Sequence, residues 1–289
     1  MRTRALSATF RSDLFDAIAT VAVYALAATT IAPFLWMISA SLKLPGEIFE
    51  FPIRWIPRSF RWINYGIVWN LVPEAPRDYH FGLSYLNSLK VTGINLIGAV
   101  TTSALAGYAF AKLKFRGRDA LFLLYLSTMM IPSEVVLIPK FIIFDKLGLM
   151  GTHWPIILPA LVTPTGTFLM RQYFMQIPDS LRESAKIDGA GEFAIWRRIM
   201  MPLSIPAVAS LAVIVFMWHW NAFLEPLVFL TRWRLYTIPV NLSGFIDENL
   251  SDYTLVMAAS VSAMFPMIAV FLGGQKYFLK GLTAGAVKG

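Results

Sequence analysis

The chain has 289 residues, 57% of them hydrophobic and only 15% charged, with a mean hydropathy of +0.60. Several long apolar runs account for those figures and exclude an ordinary soluble domain, so a polytopic membrane protein is expected. The net charge of +8 places basic residues mostly beside the apolar runs, which reads as topology control rather than nucleic-acid binding, and the lack of cysteine excludes disulfides and thiolate metal sites.

In chain order, Arg2, Arg4 and Arg11 precede a first predicted span at 17–41, with Pro33 and Trp36 near its far end. The run is too long for a signal-peptide core and is read as retained. A polar, aromatic stretch follows from Lys43 to Leu83, broken by five prolines and carrying Trp55, Trp62 and Trp69. It is expected outside, with its tryptophans near the membrane interface. The second span, 86–111, is rich in small residues, including Gly93, Gly98, Gly107 and Ala104. Small side chains let helices approach closely in lipid, so this is a packing span. Lys112, Lys114, Arg116 and Arg118 form a basic turn after it. Further spans are predicted at 120–144, 154–174, 207–230 and 255–279, six in all, which puts both termini on one side. That side, with the basic turn, carries the larger share of Lys and Arg and is therefore cytoplasmic.

The polar interruption at 177–206 predicts two short helices joined by a turn. Ser180 and Glu183 have capping-box spacing, so the first helix should start at Ser180. Gly189 after Asp188 suits a left-handed helix end. Phe193, Trp196, Ile199 and Met200 recur at helical spacing as an apolar stripe, and Pro202 and Pro206 should close the segment.

No P-loop, dinucleotide fingerprint or His-Glu-x-x-His occurs, and the three histidines, His80, His153 and His219, are far apart in sequence. No catalytic or metal residue is expected, and any ATPase must be another chain. Polar residues within spans are costly and mark candidate function. They are Glu134 in the third span and Trp218, His219, Trp220, Asn221 and Glu225 in the fifth. Helix-to-helix hydrogen bonding explains such residues equally well.

The order Glu183-Ser184-Ala185, then Ile187-Asp188-Gly189-Ala190, then Phe193, Ile199, Pro202 and Pro206 resembles the coupling loop of permease subunits of ATP-binding-cassette importers, the EAA loop. Ser184 departs from the alanine of that motif. Asn87, the run Ala106-Gly107-Tyr108-Ala109-Phe110, Phe168 to Gln172, Trp220-Asn221 and the ending Gly281 to Gly289 extend the likeness over nearly all of 86–289, towards the shorter permease of carbohydrate importers. The resemblance implies an all-α integral membrane protein of the type I ABC importer fold, with six transmembrane helices and a cytoplasmic coupling loop. Its parts would be 1–83 (amino terminus, first helix and external loop), 84–280 (core transmembrane domain) and 281–289 (cytoplasmic tail). It implies a sugar-import permease of a bacterial or archaeal inner membrane, without a cofactor of its own. The partners would be a second permease, an ATPase dimer that binds ATP and Mg, an external solute-binding protein, and membrane lipid. Glu183, Ser184, Ala185, Asp188, Gly189, Ala190 and Phe193 would dock the ATPase, and Gly285, Lys288 and Gly289 would reach its dimer interface. Glycerol phosphate, polyols and acidic sugars are alternative cargoes. An ion-coupled secondary transporter is the alternative class. It would rely on Glu134 and Glu225 and leaves the polar interruption unexplained. A membrane-embedded enzyme or scaffold lacks a catalytic cluster.

Overall fold

The computed structural model describes residues 2–73, 80–245 and 252–286, and these form helices and no strands. Two compact units are separable, Met1–Pro76 with Phe245–Ser262, and Arg77–Gly244 with Ala263–Gly289.

The first unit contains α1 (Arg2–Ser41), α2 (Ile63–Val68) and the start of the last helix. Its predicted external loop is closely bonded to itself. Asn64 donates to the carbonyls of Ser41 and Lys43, and the buried Glu47 accepts the backbone N–H groups of Leu44 and Arg58. These bonds and the Arg58 guanidinium hold the Glu47 carboxyl below its usual range, the Arg58 N–H being the largest influence. The buried Lys43 ammonium caps the Arg54 carbonyl at 2.5 Å and lies 3.9 Å from the Trp36 ring centroid, so the cation is compensated on two sides.

The second unit is organised on α3 (Phe81–Lys112). This helix packs most extensively on α7 (Pro164–Gln176) and next on α11 (Ile205–Trp220). The expected small-residue packing is present. A Cβ on Gly107 would lie 2.7 Å from Met170 Cβ and 2.9 Å from the Arg171 backbone nitrogen, so only glycine permits this crossing. Asn87, at the opposite end of α3, donates to the carbonyls of Arg234 and Tyr236 and anchors the approach to α13 (Ile238–Gly244).

Three expected spans differ from continuous helices. The third is α4 (Arg118–Ser127), a 3-10 turn and α5 (Leu137–Lys146); Ile131 before Pro132 is extended, as the proline ring demands. The fourth is α6 (Trp154–Ile157), a 3-10 turn from Pro159, and α7, which Thr163 caps by accepting the Gly166 N–H. The fifth is α11 and α12 (Leu224–Phe229), parted at Asn221, whose side-chain amide bonds the Met217 carbonyl at 2.8 Å in competition with the helix ladder. Among the described residues, Phe15–Ser41, Phe81–Lys112 and Tyr253–Lys276 are single helices long and apolar enough to cross a membrane. The last helix, α14 (Tyr253–Ala286), continues through Gly285, so the tail expected from 281 begins as helix. Lys288 and Gly289 lie outside the described residues.

Candidate functional site

The segment 177–206 forms α8 (Asp179–Ile187), α9 (Glu192–Ile195), a π-helical turn at Trp196–Met200, and α10 (Met201–Leu203). The predicted capping box is absent. Pro178 is the N-cap and α8 starts at Asp179, because proline pre-sets the chain and the Asp179 carboxylate is drawn to Lys112. Lys112 draws it below the usual aspartate value.

The turn forms as expected. Gly189 has φ +83°, its N–H bonds the Lys186 carbonyl, and the Ala190 N–H reaches back to Ala185 at 2.9 Å. This paired closure is a Schellman ending, which requires a left-handed residue at Gly189. The apolar stripe is only partly as predicted. Trp196 and Met200 are buried with Ile195, whereas Phe193 is 64% exposed and rests its ring on Trp196, 5.3 Å away. The wider π turn shifts the phase of the side chains, which a 3.6-residue period does not anticipate. Pro202 and Pro206 open α10 and α11 rather than closing the segment. The chain instead turns by 80° at Ser204.

Ala185, Ile195, Trp196 and Met200 join Ala104, Tyr108, Met170, Phe174 and Leu211 in one core, so the segment is built onto α3, α7 and α11. Its outer side is different. Glu183, Ser184, Asp188 and Gly189 are exposed, Ala190 is half-buried, and Ile187 is 87% exposed. Polar links were not read from the sequence. The Tyr108 hydroxyl donates to Glu192 Oε2 at 2.6 Å. Arg182 bonds both oxygens of that carboxylate, and Lys186 Nζ lies 2.6 Å from Oε1. The Glu192 carboxyl is thereby held at about 2, chiefly by Arg182. The i, i+4 spacing of Arg182 and Lys186 was the available signal.

The span candidates divide. Glu134, Trp218, His219 and Glu225 meet around a cleft of about 330 Å3, with Ser133 and Phe223 on its wall. Lys140 crosses from α5 to Glu225 at 2.7 Å. Trp220 is buried instead: its indole donates to the Ala263 carbonyl at 3.0 Å and stacks with Phe216. Asn221 is exposed at the break between α11 and α12 and is not among the residues lining the cleft. Among the described residues no group of three His, Cys, Asp or Glu side chains could hold a metal.

Helices long and apolar enough to cross a membrane, with a polar segment packed on α3, α7 and α11, make this a helical membrane protein. Residues 99–283 match the family of binding-protein-dependent transport system inner membrane components, and the chain belongs to that family. It is thus an inner-membrane permease component of an ATP-binding-cassette importer. It is 38% identical over 205 residues to the arabinooligosaccharides transport system permease protein AraQ of Bacillus subtilis, covering 71% of this chain and 73% of the relative. It is 34% identical over 239 residues to the sn-glycerol-3-phosphate transport system permease protein UgpE of Pectobacterium atrosepticum, covering 82% and 85%. The fold matches a chain of a bacterial ABC transporter involved in import of the acidic polysaccharide alginate, with a TM-score of 0.81 at 24% identity, covering 92% of this chain and 96% of that one. The type I importer permease fold expected from the sequence is therefore present.

Proposed function

We propose that this chain is the shorter of two permeases that together form a path for sugar, with oligosaccharides as cargo. ATP and Mg act on a separate ATPase dimer, and an external binding protein delivers the cargo. The similarity to an arabinooligosaccharide permease supports the cargo class. The similarity to a glycerol-phosphate permease supports a second reading, in which glycerol phosphate, a polyol or an acidic sugar is carried.

The observation that carries the mechanism is the coupling segment. Its inner face is sealed into the helical core, and its outer face offers Ile187 and Phe193. A capped helix pair of this kind transmits a push that a loose loop would absorb. On this reading Glu183, Ser184, Asp188, Gly189, Ala190 and Phe193 form the ATPase-docking knob on the cytoplasmic side, while Ala185, expected to dock, instead packs the knob onto the core. Each broken helix pair counts as one crossing, which gives six crossings, two cytoplasmic termini and an external 43–83 loop. The tail residues Gly285, Lys288 and Gly289 enter the ATPase interface. Glu134, Trp218, His219 and Glu225 face the path, while Trp220 and Asn221 shape it. Hydroxylated cargo suits such aromatic and polar walls.

The test is uptake into vesicles of the assembled complex, with ATP inside and with or without a proton or sodium gradient. Labelled arabinooligosaccharide and glycerol 3-phosphate are compared as cargo. Uptake should require ATP and ignore the gradients. Gradient-driven uptake without ATP would overturn the reading.

A further inference from the structure

Tyr108 and Lys112 are four residues apart on α3, so they share one face a turn apart. Each holds the first residue of one coupling helix. Lys112 Nζ donates to Asp179 Oδ1 at 2.5 Å and to the Ile177 carbonyl at 2.6 Å, at the start of α8. Tyr108 donates to Glu192 at the start of α9. Arg182 and Lys186, on α8, then brace Glu192 from the other side. Both α3 side chains are buried, and the Tyr108 ring packs edge-on to Phe174 of α7 at 5.9 Å. Hydrogen bonds in which one partner is ionised are stronger than neutral ones.

We propose that Tyr108 and Lys112 are the positioning residues through which the coupling segment drives the membrane helices: they pin α8 and α9 to α3, so that all three move as one body when the ATPase closes. This rests on the coupling segment being the ATPase-docking site. Close packing resists bending and carries displacement along α3, and α3 in turn is the helix on which α7 and α11 lie.

The experiment uses the complete complex, purified through a tag on this chain. Nitroxide labels are attached at Ile97→Cys on α3 and Arg198→Cys beyond α9, both exposed positions on a chain without native cysteine. Electron–electron distance measurements compare the nucleotide-free and ATP–Mg states. In the parent the distance should be the same in both. In Tyr108→Phe/Lys112→Met, which keeps the apolar volume, the distance should shift between states while the ATPase still co-purifies. If the double variant does not assemble, the single variants Tyr108→Phe and Lys112→Met decide by the same comparison, since each removes one of the two contacts. A state-dependent distance in the parent, or an unchanging one in the variant, overturns the proposal. Loss of the ATPase from the parent complex would instead overturn the docking reading. A merely stabilising role would lower yield without making the distance depend on nucleotide.

Discussion

At Gly189 a Cβ would meet nothing within 4 Å, yet φ is +83°, so any cost of substitution is backbone strain and not a clash. A left-handed residue costs roughly 1–2 kcal/mol when it carries a Cβ, and more when β-branched. Gly189→Val is expected to leave the permease inserted but to reduce both co-purified ATPase and ATP-driven uptake. Gly189→Asn, which tolerates this conformation, should keep most of both. Wild-type values for the valine variant would show that the turn is not needed for docking. Glu192 gives a pH dependence. The groups facing it are Arg182 and Lys186 from α8 and Tyr108 from α3. Its pKa is depressed from 4.5 to about 2, so its stabilisation is complete above 4.5 and is lost as pH falls towards 2. In that window the thermal midpoint of the purified permease should fall more steeply for the parent than for Glu192→Gln. The glycine turn was legible because one residue type answers one backbone need. The Tyr108 link to Glu192 was not, because the two lie 84 residues apart in sequence.

Among elements, the α3–α7 crossing depends on contact at Gly107. Gly107→Val places methyl groups where Met170 and the Arg171 backbone already lie. The overpacking cost is about 1–3 kcal/mol or more, since backbone yields little. The expected outcome is a lower thermal midpoint and reduced folded yield in detergent, read by size-exclusion and melting. Gly93→Ala is the control: nothing lies within 4 Å of an added Cβ, and a helix interior favours alanine. Equal behaviour of the two variants would remove the crossing argument. The small-residue pattern made this packing readable in advance. The helix breaks were hidden because averaging hydropathy over a window treats a proline or an asparagine as a small dip. Pro132, Pro159 and Pro164 were nonetheless in view. In lipid a broken helix needs partners for its freed backbone groups, and Thr163 supplies one to Gly166.

For the whole molecule, a chain without cysteine allows topology to be read one position at a time. Single cysteines at Arg116 and Arg198 should react with an impermeant maleimide only from the cytoplasmic side, and one at Arg61 only from outside. External labelling at Arg198 would invert the proposed orientation. The helical permease fold was legible because lipid imposes length and hydropathy on the helices that cross it. The cleft was not, because Glu134 and Glu225 are 91 positions apart and are brought together only by the breaks beside them.

The long first helix also carries a consequence for the bilayer. The 27 residues of Phe15–Ser41 rise about 40 Å, against a hydrocarbon thickness of about 30 Å. None of its most apolar window is buried within this chain, whereas a third of the corresponding window of α3 is. Mismatch of this size is relieved by tilting, at fractions of a kcal/mol per ångström. A thicker membrane should therefore bring α1 closer to the bilayer normal, so that fatty-acyl length sets the tilt of this helix.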